Sequence, residues 1–161
     1  MRNNKTSYLT QSAAVAAVYV LLTMLAAAMG LSSGQIQVRF SEALTILPCF
    51  LPAAVPGLFI GCLLSNILSG CVVWDVIFGS LATLLGAVGT RLLRKNRWLA
   101  CLPPILANTV IVPFVLVYAY GVPEGVPYLM LTVGVGEVIS CGILGQLAYS
   151  ALDKHRNTLF K

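Results

Sequence analysis

The chain has 161 residues, the size of one domain, with 58% hydrophobic and 9% charged residues, against roughly 25% charged in an ordinary soluble domain. So few charges cannot cover the surface of a water-soluble protein, which excludes a soluble globule and a disordered chain and leaves a multi-span membrane protein. The net charge of +5 does not mark a nucleic-acid binder, because nine of the ten basic residues fall in three clusters beside apolar runs, the pattern of cytoplasmic loops.

Those clusters are Arg2 and Lys5, then Arg91, Arg94, Lys95 and Arg97, then Lys154, Arg156 and Lys161. The first apolar run, 8–31, ends in "LAAAMG" and imitates a signal peptide with an A-x-A site. Its length suits a spanning helix of about 20 residues, and we read it as the first helix. Ala13 and Ala17 on it, and Gly57 and Gly61 in "GLFIG", share the small-xxx-small spacing that lets helices approach closely in lipid.

The next run, 43–70, is too long for one helix and contains Pro48, Pro52 and Pro56. Prolines so close together interrupt helical hydrogen bonding, so the run divides into segments 41–52 and 55–70, joined at "LPAAVPG". Charge supports the division independently. If the N-terminal bases and the 91–97 cluster share the cytoplasmic side, an even number of crossings must separate them. At the entry to this region, in "IQVRFSEALTILP", Arg39 and Glu42 are three apart, a spacing at which opposite charges can pair on one helical face. Either they fix the loop as a salt bridge, or they form with Phe40 a lid facing a ligand. Asn66, near the outer end of the third helix, is either interhelical glue or a reader of a polar ligand edge.

The fourth helix, 75–90, opens on Trp74-Asp75. Trp suits an interfacial belt and Asp a helix N-terminus; the alternative is a stacking wall for a flat ring beside an anion for a cation. The fifth, 98–120, buries Asn108 before Pro113, again as glue or as an edge reader. The sixth, 126–152, carries Glu137 in "TVGVGEVIS", about 13 Å deeper than Tyr128 and so near the middle of a hydrocarbon core about 30 Å thick. An acid at that depth faces a partner or a cavity, and function is its default explanation. Tyr118, Tyr120 and Tyr128 read as belt residues.

The expected fold is therefore one all-α membrane domain over 1–161, a six-helix bundle in the cell membrane with both termini cytoplasmic. Its outer loops, 31–41, 70–75 and 121–126, gather most of the acids around an outward-facing polar site. Five scattered cysteines with no CxxC pair argue against a disulfide framework or a zinc site, and His155 lies in the basic tail. P-loop, HExxH and GxSxG motifs are all absent from the sequence. We expect neither an enzyme nor a cofactor, and any active transport must draw its energy from another protein.

The stretch "IQVRFSEALTILPCFLPAAVPGLFIGCLLSNILSG" followed by "VVWDVIFGSLATLLGAVGT" resembles the QueT family of queuosine-precursor transporters, and the likeness extends over residues 8 to about 152. These are substrate-binding S components of energy-coupling factor (ECF) importers. The resemblance implies partners, a coupling membrane subunit and two cytoplasmic ATPases, with Ala13 and Ala17 as the contact with the coupling subunit. It implies a 7-deazaguanine substrate such as preQ1 or preQ0. Chemistry then assigns Glu137, Asp75 and Glu42 as acids for N–H donors and a cationic amine, Trp74 and Phe40 as stacking surfaces, and Asn108, Arg39 and Asn66 as polar contacts. Another vitamin-like heterocycle as substrate, or a stand-alone proton-coupled carrier or channel titrating at Glu137, are the alternatives.

Overall fold

Apolar runs of this length leave the backbone one economical solution in lipid, which is to satisfy its own hydrogen bonds as helix. The computed structural model describes residues 4–31 and 38–155, and every regular element among them is helical. The α-helices are α1 (Asn4–Ala28), α2 (Ala54–Leu68), α3 (Val73–Leu92), α4 (Arg97–Ala100), α5 (Leu102–Tyr120), α6 (Val126–Glu137) and α7 (Gly145–Lys154). A 3-10 helix, Phe40–Cys49, precedes α2, and a π-helical segment, Val138–Leu144, joins α6 to α7.

Four stretches are long and apolar enough to cross a membrane: Lys5–Ala28, Val73–Leu92, Arg97–Tyr120 and Val126–Lys154. The other two apolar elements are shorter. At about 2.0 Å per residue for a 3-10 helix and about 1.5 Å for an α-helix, Phe40–Cys49 and α2 each extend only about 20 Å, less than the hydrocarbon thickness. The expected second helix, 41–52, is thus corrected in kind. Pro48 lies inside it and Pro52 follows, and a proline denies the α-helix an i to i−4 bond. Much of the outer loop 31–41 lies outside the described residues, as do Arg2, Arg156 and Lys161.

The usual distribution is inverted at many positions: the exterior is apolar, and polar groups are buried beside the apolar core. Leu21, Leu85, Leu106 and Leu131 point outward, while Glu42, Thr45, Asn66, Asp75, Thr83, Asn108, Glu137 and Ser140 are buried. That inversion is stable only where the surrounding solvent is lipid. The short 3-10 helix lies among α1, α3, α7 and the π segment, so its irregular backbone is wrapped in protein.

Small residues set the closest approaches. A Cβ at Gly57 would fall 2.7 Å from the Ser12 carbonyl oxygen, and one at Gly61 would fall 2.7 Å from Tyr19 Cβ. The glycine pair of α2 therefore receives one face of α1. Gly86 of α3 similarly meets Pro104 of α5, where a Cβ would lie 2.7 Å from the proline Cα. Ala13 and Ala17 are exposed, on a face of α1 away from α2.

Candidate functional site

Glu42 is 1% exposed at the heart of the bundle. Its Oε1 accepts a hydrogen bond from the Tyr19 hydroxyl at 2.6 Å, while Oε2 is buried with no hydrogen-bond partner among the described residues. An Arg39–Glu42 salt bridge, one of the two alternatives for that spacing, is not formed among the described residues. Arg39 has an extended backbone as the cap of the 3-10 helix, and its N–H donates to Ser140 Oγ at 3.1 Å. The start of the 3-10 helix is pinned by that backbone bond and by the Tyr19 link.

Glu137 ends α6 and faces the same interior. One carboxylate oxygen from each of Glu42 and Glu137 lies within 4.8 Å of the other and of Cys141 Sγ. The Cys141 thiol is directed at Glu137 Oε2 (3.3 Å) and at the Glu42 carbonyl (3.5 Å). Thr45 Oγ1 donates to that carbonyl at 2.6 Å. The Asn108 side chain lies beside both carboxylates. The geometry comes partly from the π segment, which re-aims Ser140 and Cys141; π turns inside α-helices recur at functional sites.

Above this cluster opens a cavity of about 490 Å³, walled by Thr23, Ala26 and Ala27 of α1, Arg39, Asn66, Ser69 and Cys71, Asp75, and Val112, Leu116, Tyr120 and Val122. Small-molecule sites typically measure about 300–1,000 Å³. A second, much smaller void lies deeper, between Arg39, Val112, Val133 and Glu137. Arg39 and Val112 line both, so Arg39 stands between the wider cavity and the carboxylate pair. On α5, Asn108, Val112, Leu116 and Tyr120 follow at four-residue spacing and form one face.

At the rim, Asp75 Oδ2 accepts from the Tyr120 hydroxyl at 2.9 Å, and that same oxygen of Tyr120 accepts the Val72 N–H at 3.4 Å. Asn66 Nδ2 donates to the Asp75 carbonyl at 3.3 Å. Cys71, in the loop between α2 and α3, is half-buried, and burial raises its thiol pKa above the ordinary value.

Residues 9–154 match the family described as QueT transporter. The chain belongs to that family. It is a multi-pass protein of the cell membrane. A stretch of 85 residues is 42% identical to the queuosine precursor transporter QueT of Lactococcus lactis subsp. cremoris, covering 53% of this chain and 50% of that protein. The match thus spans half the length of the curated relative. No solved structure matches the chain.

In this QueT-family chain, six of the eight expected site residues draw together. Arg39, Asn66 and Asp75 line the cavity; Glu42, Asn108 and Glu137 lie beneath it. Trp74 does not join them. It is 59% exposed, stacks on Phe78 at 5.9 Å, and lines an apolar groove on the outer face of α3 and α5. Phe40, half-buried, lines neither polar void. Tyr19, Ser140 and Cys141 were not singled out from the sequence, and Tyr120, expected in the interfacial belt, lines the cavity. Cys141 carried a usable signal, lying one helical turn beyond Glu137, and Tyr19 carried none.

Glu42, Glu137 and Cys141 are the donor types that can ligate a cation. Their neighbours, however, are hydrogen-bonding groups: the Tyr19 hydroxyl, the Thr45 hydroxyl and the Asn108 amide. That mixture suits an organic ligand bearing several N–H donors and a carbonyl.

Proposed function

We propose that this chain is the substrate-binding S component of an ATP-driven ECF importer for a queuosine precursor, a 7-deazaguanine such as preQ1 or preQ0. The observation that carries the proposal is the pair of buried carboxylates, Glu42 and Glu137, with Asn108 beside them and a cavity of small-molecule size above. A guanine-like edge offers adjacent N–H donors that a carboxylate accepts as a pair, and its carbonyl takes a donor from an amide or guanidinium. Glu42 Oε2, buried without a hydrogen-bond partner among the described residues, is the acceptor that such an edge would satisfy. A site built on matched buried hydrogen bonds rejects analogues lacking one of them, because a protein group is then left unpaired.

In the proposed architecture the chain crosses the membrane six times, the short 3-10 helix and α2 forming two half-depth crossings, with both termini cytoplasmic. The name of the Lactococcus relative supports the substrate class. The exposed Ala13 and Ala17 support a contact with a coupling membrane subunit, which in turn joins two cytoplasmic ATPases. Uptake of labelled preQ1 into proteoliposomes tests this directly. It should require the coupling subunit, the ATPases and internal ATP. The Glu42–Glu137 pair also favours a second reading, a stand-alone proton-coupled carrier, which predicts uptake by this chain alone under a pH gradient. Accumulation of a different vitamin-like heterocycle in place of preQ1 and preQ0 would move the substrate and keep the role.

A further inference from the structure

A second groove, unrelated to the polar cavity, opens on the outside of the bundle at the end carrying the basic cluster. It measures about 590 Å³ and runs between α4–α5 and the π segment with α7. Its walls change character along their length. Arg97 and Trp98 stand at one end, and Leu102, Ile105, Ile143 and Leu147 line the rest.

The charged end is organised. The Arg97 guanidinium lies 5.1 Å from the Trp98 ring centroid and 5.9 Å from that of Tyr149, arrangements that hold a cation in place. Gln146 Nε2 donates to the Arg97 carbonyl at 2.7 Å, tying α7 to α4 across the groove. Arg94 and Lys95 are exposed in the turn just before α4. Arg91, by contrast, is committed inward, donating to the Pro48 carbonyl at 2.9 Å. A fixed guanidinium beside an exposed indole, at the mouth of an apolar channel parallel to the helices, has the chemistry of one ligand class.

We propose that this groove is a binding site for an anionic phospholipid. The phosphate pairs with Arg97, and one acyl chain lies along Leu102, Ile105, Ile143 and Leu147. Charge complementarity selects this occupant over a zwitterionic lipid. Arginine's planar fork matches a phosphate in a way that lysine does not. Gly142 supplies the room, since a Cβ there meets only ordinary contact with Val138 Cγ1 at 3.7 Å.

The chain has two tryptophans, so Trp74→Phe leaves Trp98 as the sole reporter. The full-length variant is placed in phosphatidylcholine nanodiscs containing a low, equal mole fraction of dibrominated phosphatidylglycerol or dibrominated phosphatidylcholine. Trp98 emission should be quenched with a roughly fivefold preference for the anionic lipid, the worth of one basic side chain at an anionic surface. The preference should vanish in Arg97→Gln, which leaves Arg94 and Lys95 intact, and fall in Gly142→Leu, which fills the groove. Trp98→Phe, reporting from Trp74, should show none. Equal quenching by both lipids would overturn the proposal. So would a preference surviving Arg97→Gln, the same preference at Trp74, or shielding of Trp98 from both lipids by a protein partner on this face.

Discussion

The Tyr19 hydroxyl donates to Glu42 Oε1 at 2.6 Å across 23 residues of sequence, so α1 holds the one carboxylate that the 3-10 helix carries into the bundle. Tyr19 is itself packed where α2 comes closest, against Gly61. Position of the acid and packing of the first two helices are therefore one structural unit.

Tyr19→Phe keeps the ring and removes the hydroxyl that donates to Glu42 Oε1. An unpaired buried acceptor costs about 1–3 kcal/mol, so thermal unfolding in detergent should shift downward. Glu42→Ala should lower both stability and affinity for preQ1. The effects of Tyr19→Phe and Glu42→Gln should be non-additive, as expected for residues in direct contact; additive shifts would separate the two side chains.

Glu137 has its thiol partner one turn away and is not the anchor of a helix pair. Glu137→Gln preserves shape and removes charge. We expect a roughly ten- to hundredfold loss of preQ1 affinity, the worth of one hydrogen bond to a charged group, with the thermal midpoint held. An unchanged affinity would take Glu137 out of the site.

The two small-residue pairs should behave oppositely. Gly61→Leu places atoms where Tyr19 Cβ and the Ala16 backbone already lie, and such overpacking costs about 1–3 kcal/mol. Ala17→Leu adds volume on an exposed face and should change stability by less than about 0.5 kcal/mol. In the proposed importer it should leave preQ1 binding intact while preventing co-purification with the coupling subunit.

Much of this architecture was legible in the sequence because lipid restricts the options. Long apolar runs became helices close to their expected limits, and Pro48, Pro52 and Pro56 located the break between 41–52 and 55–70. The 3-10 form was not legible, since a mostly apolar ten-residue segment does not distinguish a period of 3.0 from one of 3.6. Trp74 and Asp75 could not both face a ligand, because neighbours on a helix point about 100° apart; Asp75 turned inward and Trp74 to the exterior. The Tyr19–Glu42 contact joins distant segments through packing, and no local pattern announces it.

Cys71 offers a probe of the outer cavity. With the other four cysteines replaced, preQ1 should slow maleimide labelling of Cys71, which lines that cavity. Burial raises this thiol's pKa, and the thiolate is the reacting form, so labelling should be slow at neutral pH and accelerate as pH rises. Labelling unaffected by preQ1 would place the ligand elsewhere.

The central claim is that Glu42 and Glu137 form the floor of a 7-deazaguanine site. Isothermal titration of the purified, folded chain with preQ1 tests it most directly. Saturable one-to-one binding is expected, weakened by Glu137→Gln without unfolding of the protein. Absence of binding heat for both preQ1 and preQ0 at several temperatures, with the thermal midpoint unmoved by either compound, would contradict it.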